Sequence, residues 1–355
     1  MLVVDDSVVI RRLVTQALSQ HPAIEVVGVA ANGTLSLQRI AQFTPDVITL
    51  DIEMPEMNGL ETLRHIRRDY PSTRVIMFSS LTERGASITL EALTMGADDY
   101  LPKSATYFSG DTPTARLQQV LIPKITQFFN FSEHGAQDGS QSEPARAPSI
   151  SPRKRVLTGA APKVVVIGVS TGGPTALNEI LPSFPSDFPL PILIVQHMPP
   201  LFTRLLGERL NANCVLHVEE AKQGTIVEPG RILIAPGDYH MAVAPTTEGV
   251  GVILDQSAQQ NFCRPAVDVL FRSAAEVYGA SVLAVVLTGM GQDGLRGAET
   301  LRACGATVFA QDEETSIVWG MPGAVVSAGL ADRVLPIQEI APEVIRASAR
   351  VGGIN

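Results

Sequence analysis

The 355-residue chain is long enough for two ordinary domains with full cores, and its 45% hydrophobic and 18% charged residues are a globular composition. A net charge of −9 argues against non-specific attraction to nucleic acid or an anionic membrane. The separated cysteines Cys214, Cys263 and Cys304 form no Cys-x-x-Cys pair, which argues against a zinc site or a disulfide framework and suits a reducing cytosol. No apolar run approaches the roughly 18 residues of a membrane span, and no basic-then-apolar leader opens the chain. A cytoplasmic protein is expected.

Through residue 131, short apolar strands alternate with amphipathic helices. Strands are expected at Leu2–Val4, Ile24–Val29, Val47–Leu50, Val75–Phe78 and Asp99–Leu101, with helices over 7–20 and 59–69 among those between them. This alternation predicts an α/β fold, a doubly wound parallel sheet with helices on both faces. Polar residues collect at the carboxyl ends of the strands, where open α/β sheets bind ligands. They are Asp5 and Asp6 in "VVDDS", Asp51 in "ITLDIEMPEMNG", Ser79 in "MFSS" and Lys103 in "YLPK". Each acid could merely cap the helix that follows. Carboxylates converging on one edge, however, repel one another unless a cation sits among them, and hard oxygen ligands suit Mg²⁺. A lysine and a hydroxyl opposite could hold the oxygens of a phosphoryl group on Asp51, since carboxylates can accept such groups.

With "VVDDS", "DIEMPEMNGLE", "SS" and the lysine after a hydrophobic strand falling in order, this half resembles the receiver domain of bacterial two-component response regulators. The resemblance implies a flavodoxin-like fold with Asp51 as phosphoacceptor, supplied by a histidine kinase. It implies Asp5, Asp6 and Asp51 as Mg²⁺ ligands together with the Glu53 backbone carbonyl. Ser79 and Lys103 would sense the phosphoryl oxygens, and Tyr100 would act as a rotamer switch. Two features depart from the pattern. Strand one starts almost at Met1 and is expected to be short, and Ser104 follows Lys103 where many receivers carry proline.

Residues 132–160 are rich in Ser, Pro, Gly and Gln with no period of 2 or 3.6, which reads as a linker. The α/β alternation then resumes with "VVVIGV", "PILIVQH", "RILIAPG", "GVILD", "VLAVVLTG" and "ATVFAQD". Runs apolar on consecutive positions mark strands buried on both faces, again a parallel sheet. The first strand runs into "GVSTGG", residues 168–173. Taken alone this is an ordinary Gly-rich turn, but a sharp strand-to-helix turn can also present a serine hydroxyl beside free N–H groups. A serine needs a base. His197 ends the next strand, and Asp293 lies in the Gly-rich loop of "VVLTGMGQDG". His217 falls inside a strand, and His240 reads as a loop or ligand-edge residue. The order Ser170, His197, Asp293 is not that of an α/β-hydrolase, though geometry rather than order defines a triad. The Gly-x-Gly-x-x-Gly spacing of a dinucleotide site is absent.

The motifs "IGVSTGGP", "VQHMP", "FTRLLGERLN", "APGDYHM", "RPAVDVLF", "LTGMGQDG" and "AQDEETSIVWGMP" closely resemble the catalytic domain of the chemotaxis protein-glutamate methylesterase family. That family also has the receiver-linker-esterase order. The implied division is a receiver at 1–131, a linker at 132–160 and a Rossmann-like esterase domain at 161–350. Ser170 would be the nucleophile, His197 the general base and then acid, and Asp293 the residue orienting His197. Such enzymes hydrolyse γ-glutamyl methyl esters of chemoreceptors and often deamidate receptor glutamines. Oxyanion donors are expected at the backbone N–H groups of Thr171 and Met290, with Gly172 and Gly173 leaving room for the substrate, and no cofactor is expected in the esterase domain. The competing readings are a receiver joined to a non-catalytic receptor-binding module, or a DNA-binding regulator, which the acidic chain and lack of a helix-turn-helix disfavour.

Overall fold

Strands β1 (Leu2–Val4), β2 (Gly28–Ala30), β3 (Val47–Asp51), β4 (Arg74–Ser79) and β5 (Asp99–Pro102) pair in parallel in the order β2-β1-β3-β4-β5. They belong to a computed structural model that describes residues 1–103, 113–129 and 160–349. Ser104 and the linker, except residue 160, lie outside the described residues. The apolar runs of β3 and β4 are buried on both faces because helices cover both sides of the sheet. These helices are α1 (Val8–Leu18), α2 (Gly33–Phe43), α3 (Gly59–Asp69), α4 (Glu83–Thr94) and α5 (Pro113–Thr126). A capping box between Asn58 and Glu61 starts α3, and Arg67 and Arg68 lie in its last turn, where the helix dipole favours cations.

One expectation here is corrected. Strand β2 covers Gly28–Ala30 rather than Ile24–Val29, in register with the three residues of β1. Ile24 and Val26 are apolar because they pack against the core, not because they pair.

The second domain contains β6 (Val164–Val169), β7 (Ile192–Gln196), β8 (His217–Glu220), β9 (Arg231–Ile234), β10 (His240–Thr246), β11 (Gly249–Asp255), β12 (Val282–Val286), β13 (Thr307–Gln311) and β14 (Arg333–Leu335). Seven of them form a sheet in the order β14-β13-β12-β6-β7-β9-β8, with every pairing parallel. "GVILD" does not join it, as the alternation had suggested. It belongs to β11, which forms a separate antiparallel hairpin with β10. Only Thr247 and Glu248 separate the two strands, whereas a parallel crossover needs a dozen or more residues. The helices are α6 (Gly173–Ile180), α7 (Pro200–Asn213), α8 (Val267–Tyr278), α9 (Leu295–Ala303), α10 (Met321–Ser327) and α11 (Ile337–Ser348).

The two domains share a continuous buried apolar cluster that runs through Leu93 and Tyr100 to Phe202 and Leu206. Helix α4 packs on α6 and α7. The Tyr100 ring stacks on Phe202 with centroids 4.7 Å apart, and Thr175 Oγ1 donates to the Leu93 carbonyl at 2.8 Å. The exposed Arg204–Glu83 ion pair at the rim adds little stability. Among the described residues, no helix is long and apolar enough to cross a membrane.

Candidate active site

Ser170 directly follows β6, at the carboxyl edge of the central strand, and its N–H donates to the Thr288 carbonyl at 3.0 Å. Gly172 has a φ of +80°, a left-handed conformation that lets the chain turn from β6 into α6. A Cβ on Gly173 would lie 1.8 Å from Gln196 Oε1. The direction a side chain would take from these glycines is filled by Ile317 and Gln196, while Gly172 itself lines the cavity it shares with Ser170 and His197. Gln196 uses that proximity: its Nε2 donates to the carbonyls of Ser170 (3.0 Å) and His197 (3.4 Å), clasping the two loops together. Thr288 Oγ1 donates to the Thr171 carbonyl at 2.9 Å. Among the described residues, neither the Thr171 nor the Met290 N–H donates a hydrogen bond, and Met290 is partly exposed.

The structure brings His197 and Asp293 together from strands far apart in sequence, with Nε2 and Oδ2 separated by 2.8 Å. Asp293 is buried, and its anchoring explains why its loop cannot wander. Oδ2 also accepts from Val267 N–H at 2.6 Å, while Oδ1 accepts from Asn261 Nδ2 (2.8 Å), Gly294 N–H (3.0 Å) and Asp268 N–H (3.1 Å). Helix α8 has no side-chain cap of its own at Ala266, so Asp293 supplies the acceptor for its first N–H groups. Burial alone would raise the Asp293 carboxyl, but the His197 bond and the helix N–H groups hold it below its ordinary value. Burial alone would lower His197, yet the bonds to Asp293 and Cys263 raise it, making the imidazole a stronger base.

The second imidazole nitrogen, Nδ1, faces Cys263 Sγ at 3.6 Å. No hydrogen bond among the described residues joins Ser170 Oγ to His197. Cys263 was not singled out by the sequence, where it is one of three dispersed cysteines. His240 is corrected: it is fully buried at the start of β10, where Nδ1 accepts from Ala266 N–H and Nε2 donates to the Ala258 carbonyl. Its ring is consumed in holding α8 to the hairpin. His217 is exposed on β8.

In the first domain, Asp5, Asp6 and Asp51 each offer an oxygen within 4.8 Å of the others. Lys103 Nζ lies 2.7 Å from Asp5 Oδ2 and 2.8 Å from Asp51 Oδ1. Burial and the Asp5 charge raise the Asp51 carboxyl from 3.8 to about 6, against the pull of Lys103. Asp5 Oδ2 makes no hydrogen bond of normal geometry. A clustered, underneutralised set of hard oxygens fits a divalent cation such as Mg²⁺. Glu53 enters through its N–H, which donates to Asp51 Oδ1 at 3.4 Å. The Ser79 hydroxyl is buried and bonds to Thr89 and to the Gly85 carbonyl. Tyr100 points away from this cluster into the domain interface.

That interface bears on Ser170. Tyr100 and Lys124 line, with Ser170, His197 and Cys263, one cavity of about 610 Å³. Thr171 Oγ1 lies 3.4 Å from Asp99 Oδ2 and 3.2 Å from Gln127 Oε1, both in the first domain. Lys124 and Gln127 in turn hold Asp99 Oδ2 at 2.7 and 3.0 Å.

The fold and the acidic cluster define a class, a receiver docked on a second α/β domain across the edge where Ser170 lies. Residues 1–107 match the response regulator receiver domain, and residues 165–344 match the CheB methylesterase. A "Protein-glutamate methylesterase/protein-glutamine glutaminase" of Trichodesmium erythraeum is 48% identical over 349 residues, covering 97% of each chain. One of the same description from Nocardioides sp. is 49% identical over 98% of this chain and 95% of its own. The crystal structure of the Thermotoga maritima CheB methylesterase catalytic domain is 47% identical, with a TM-score of 0.51 over 53% of this chain and 99% of that one. The chain belongs to the CheB methylesterase family, and it is a methylesterase that carries its own receiver domain.

Proposed function

We propose that the enzyme hydrolyses glutamate γ-methyl esters on chemoreceptors, releasing methanol, and deamidates receptor glutamines by the same acyl chemistry, under control of a histidine kinase acting at Asp51. The observation that carries the catalytic part is that His197, which lines one cavity with Ser170, is held by Asp293 at 2.8 Å from Nε2 to Oδ2. With Nε2 committed to Asp293, Nδ1 is the nitrogen left to serve Ser170. Ser170 Oγ attacks the ester carbonyl carbon as Nδ1 takes its proton, and the imidazolium returns that proton to the departing methoxide. Water then attacks the acyl-enzyme through the same base, freeing the carboxylate and restoring the serine. The Thr171 and Met290 N–H groups would face the oxyanion, each such donor being worth about 3 kcal/mol of barrier.

In the receiver, Asp5, Asp6, Asp51 and the Glu53 carbonyl would hold Mg²⁺, which when bound offsets negative charge on phosphoryl oxygens. Ser79 and Lys103 would engage those oxygens. Strand β5 continues into the interface through Asp99 and Tyr100, so movement of Lys103 at its end reaches Thr171 and Phe202. The division at 1–131, 132–160 and 161–350 and a cytoplasmic location belong to the same reading. The test is methanol release from methylated receptor, with and without kinase. Ser170→Ala is expected to keep its fold and lose at least about a hundredfold in turnover. Retained turnover would mean that Ser170 is not the nucleophile, whereas no methanol release by the unaltered chain would favour a module that binds receptors without hydrolysing them.

A further inference from the structure

The turn Gln260–Cys263 has a geometry its own residues do not repay. Its two central residues, Asn261 and Phe262, both have left-handed backbones, with φ of +50° and +61°. That conformation is strained for a bulky side chain. Phe262 recovers nothing by burial, being 96% exposed. The turn is nevertheless closed by reciprocal backbone hydrogen bonds between Gln260 and Cys263, of 3.1 and 2.8 Å. Asn261 is clamped by Asp268 and Asp293 at 2.9 and 2.8 Å. What this secures is the position of the Cys263 thiol, 3.6 Å from His197 Nδ1 and on the wall of the Ser170 cavity.

Cys263, His197 and Asp293 thus form a nucleophile, a base and an orienting carboxylate of their own. We infer that Cys263 is a thiol-modification site through which low-molecular-weight disulfides reversibly switch off the esterase. The inference rests on the esterase reading of Ser170 and His197. In the step, the Cys263 proton passes to His197 Nδ1 as Sγ attacks one sulfur of the disulfide. The disulfide S–S bond breaks, and the departing thiolate takes up the proton as free thiol. The mixed disulfide left on Cys263 occupies the cavity beside Nδ1 and separates His197 from Ser170 and from substrate. The other cysteines lack this setting: Cys304 is exposed, and burial pushes the Cys214 thiol up to about 11.

The test treats the full chain with oxidised glutathione and measures the mixed disulfide at each cysteine by peptide mass, with methanol release in parallel. Cys263 is expected to react about tenfold or more faster than Cys304. Release should fall in step with Cys263 occupancy and return with dithiothreitol. Cys263→Ser, whatever its own rate, should lose nothing further on treatment. Reaction at Cys263 no faster than at Cys304, or full modification with release unchanged, overturns the inference. An untreated protein that releases no methanol instead defeats the esterase reading, while the mass measurement still scores the thiol.

Discussion

Asp293→Asn separates the charge of this side chain from its shape, because the two residues are nearly isosteric. Asp293 accepts at both oxygens, with Val267 N–H and His197 on Oδ2 and with Asn261 Nδ2 and the Asp268 and Gly294 N–H groups on Oδ1. An amide has one acceptor oxygen. Its NH₂ at the Oδ1 position would oppose all three donors there, whereas at Oδ2 it opposes only Val267 N–H. The second orientation is therefore favoured, and in it the amide donates to His197 Nε2. That forces the imidazole proton onto Nδ1, the nitrogen that has to receive the Ser170 proton. One opposed buried N–H should cost about 1–3 kcal/mol of stability. The wrong tautomer should cost about 10⁴ in kcat, or roughly 5 kcal/mol of barrier. The assay is methanol release across pH, with thermal unfolding and ¹⁵N-histidine NMR to locate the proton. Wild-type turnover at every pH, with the tautomer shifted, would refute the argument that the carboxylate acts through His197.

Residues 163–355 alone should hydrolyse receptor esters faster than the unphosphorylated full chain, since Tyr100 and Lys124 would no longer wall the Ser170 cavity. Full-length Asp51→Asn should stay at the basal rate and ignore a small phosphodonor with Mg²⁺; equal rates for the isolated domain and the resting chain would mean that covering is not the inhibition. Asp51 also gives a pH signature. Burial and Asp5 raise it from 3.8 to about 6, so its contribution to folding is present below about 3.8 and is lost as pH rises through about 6. In metal-free protein, wild type should therefore lose about 3 kcal/mol relative to Asp51→Asn between roughly pH 4 and 6. Denaturant titrations of both proteins check this, and a pH-independent difference would remove burial as the cause.

Much of this protein was legible in its sequence because strand form and strand ends are local properties. Consecutive apolar residues such as "VVVIGV" can be buried only between two helical layers, and both parallel sheets followed from that. Asp5, Asp51, Ser170 and His197 stand out because strand ends are where such sheets bind ligands. What the tertiary structure alone decided are pairings between segments distant along the chain. Whether "GVILD" joins the sheet or a hairpin depends on Thr247 and Glu248, which tie its strand directly to β10. Whether His240 faces solvent or the first N–H groups of α8 depends on where that helix docks. The meeting of Cys263 with His197 Nδ1, and of Asp99 with Thr171 across the domains, is decided the same way. Local pattern sets which side chains must be buried. Which donor is then left facing which acceptor is settled only when the packed elements close on one another, because every buried polar group must find its partner there.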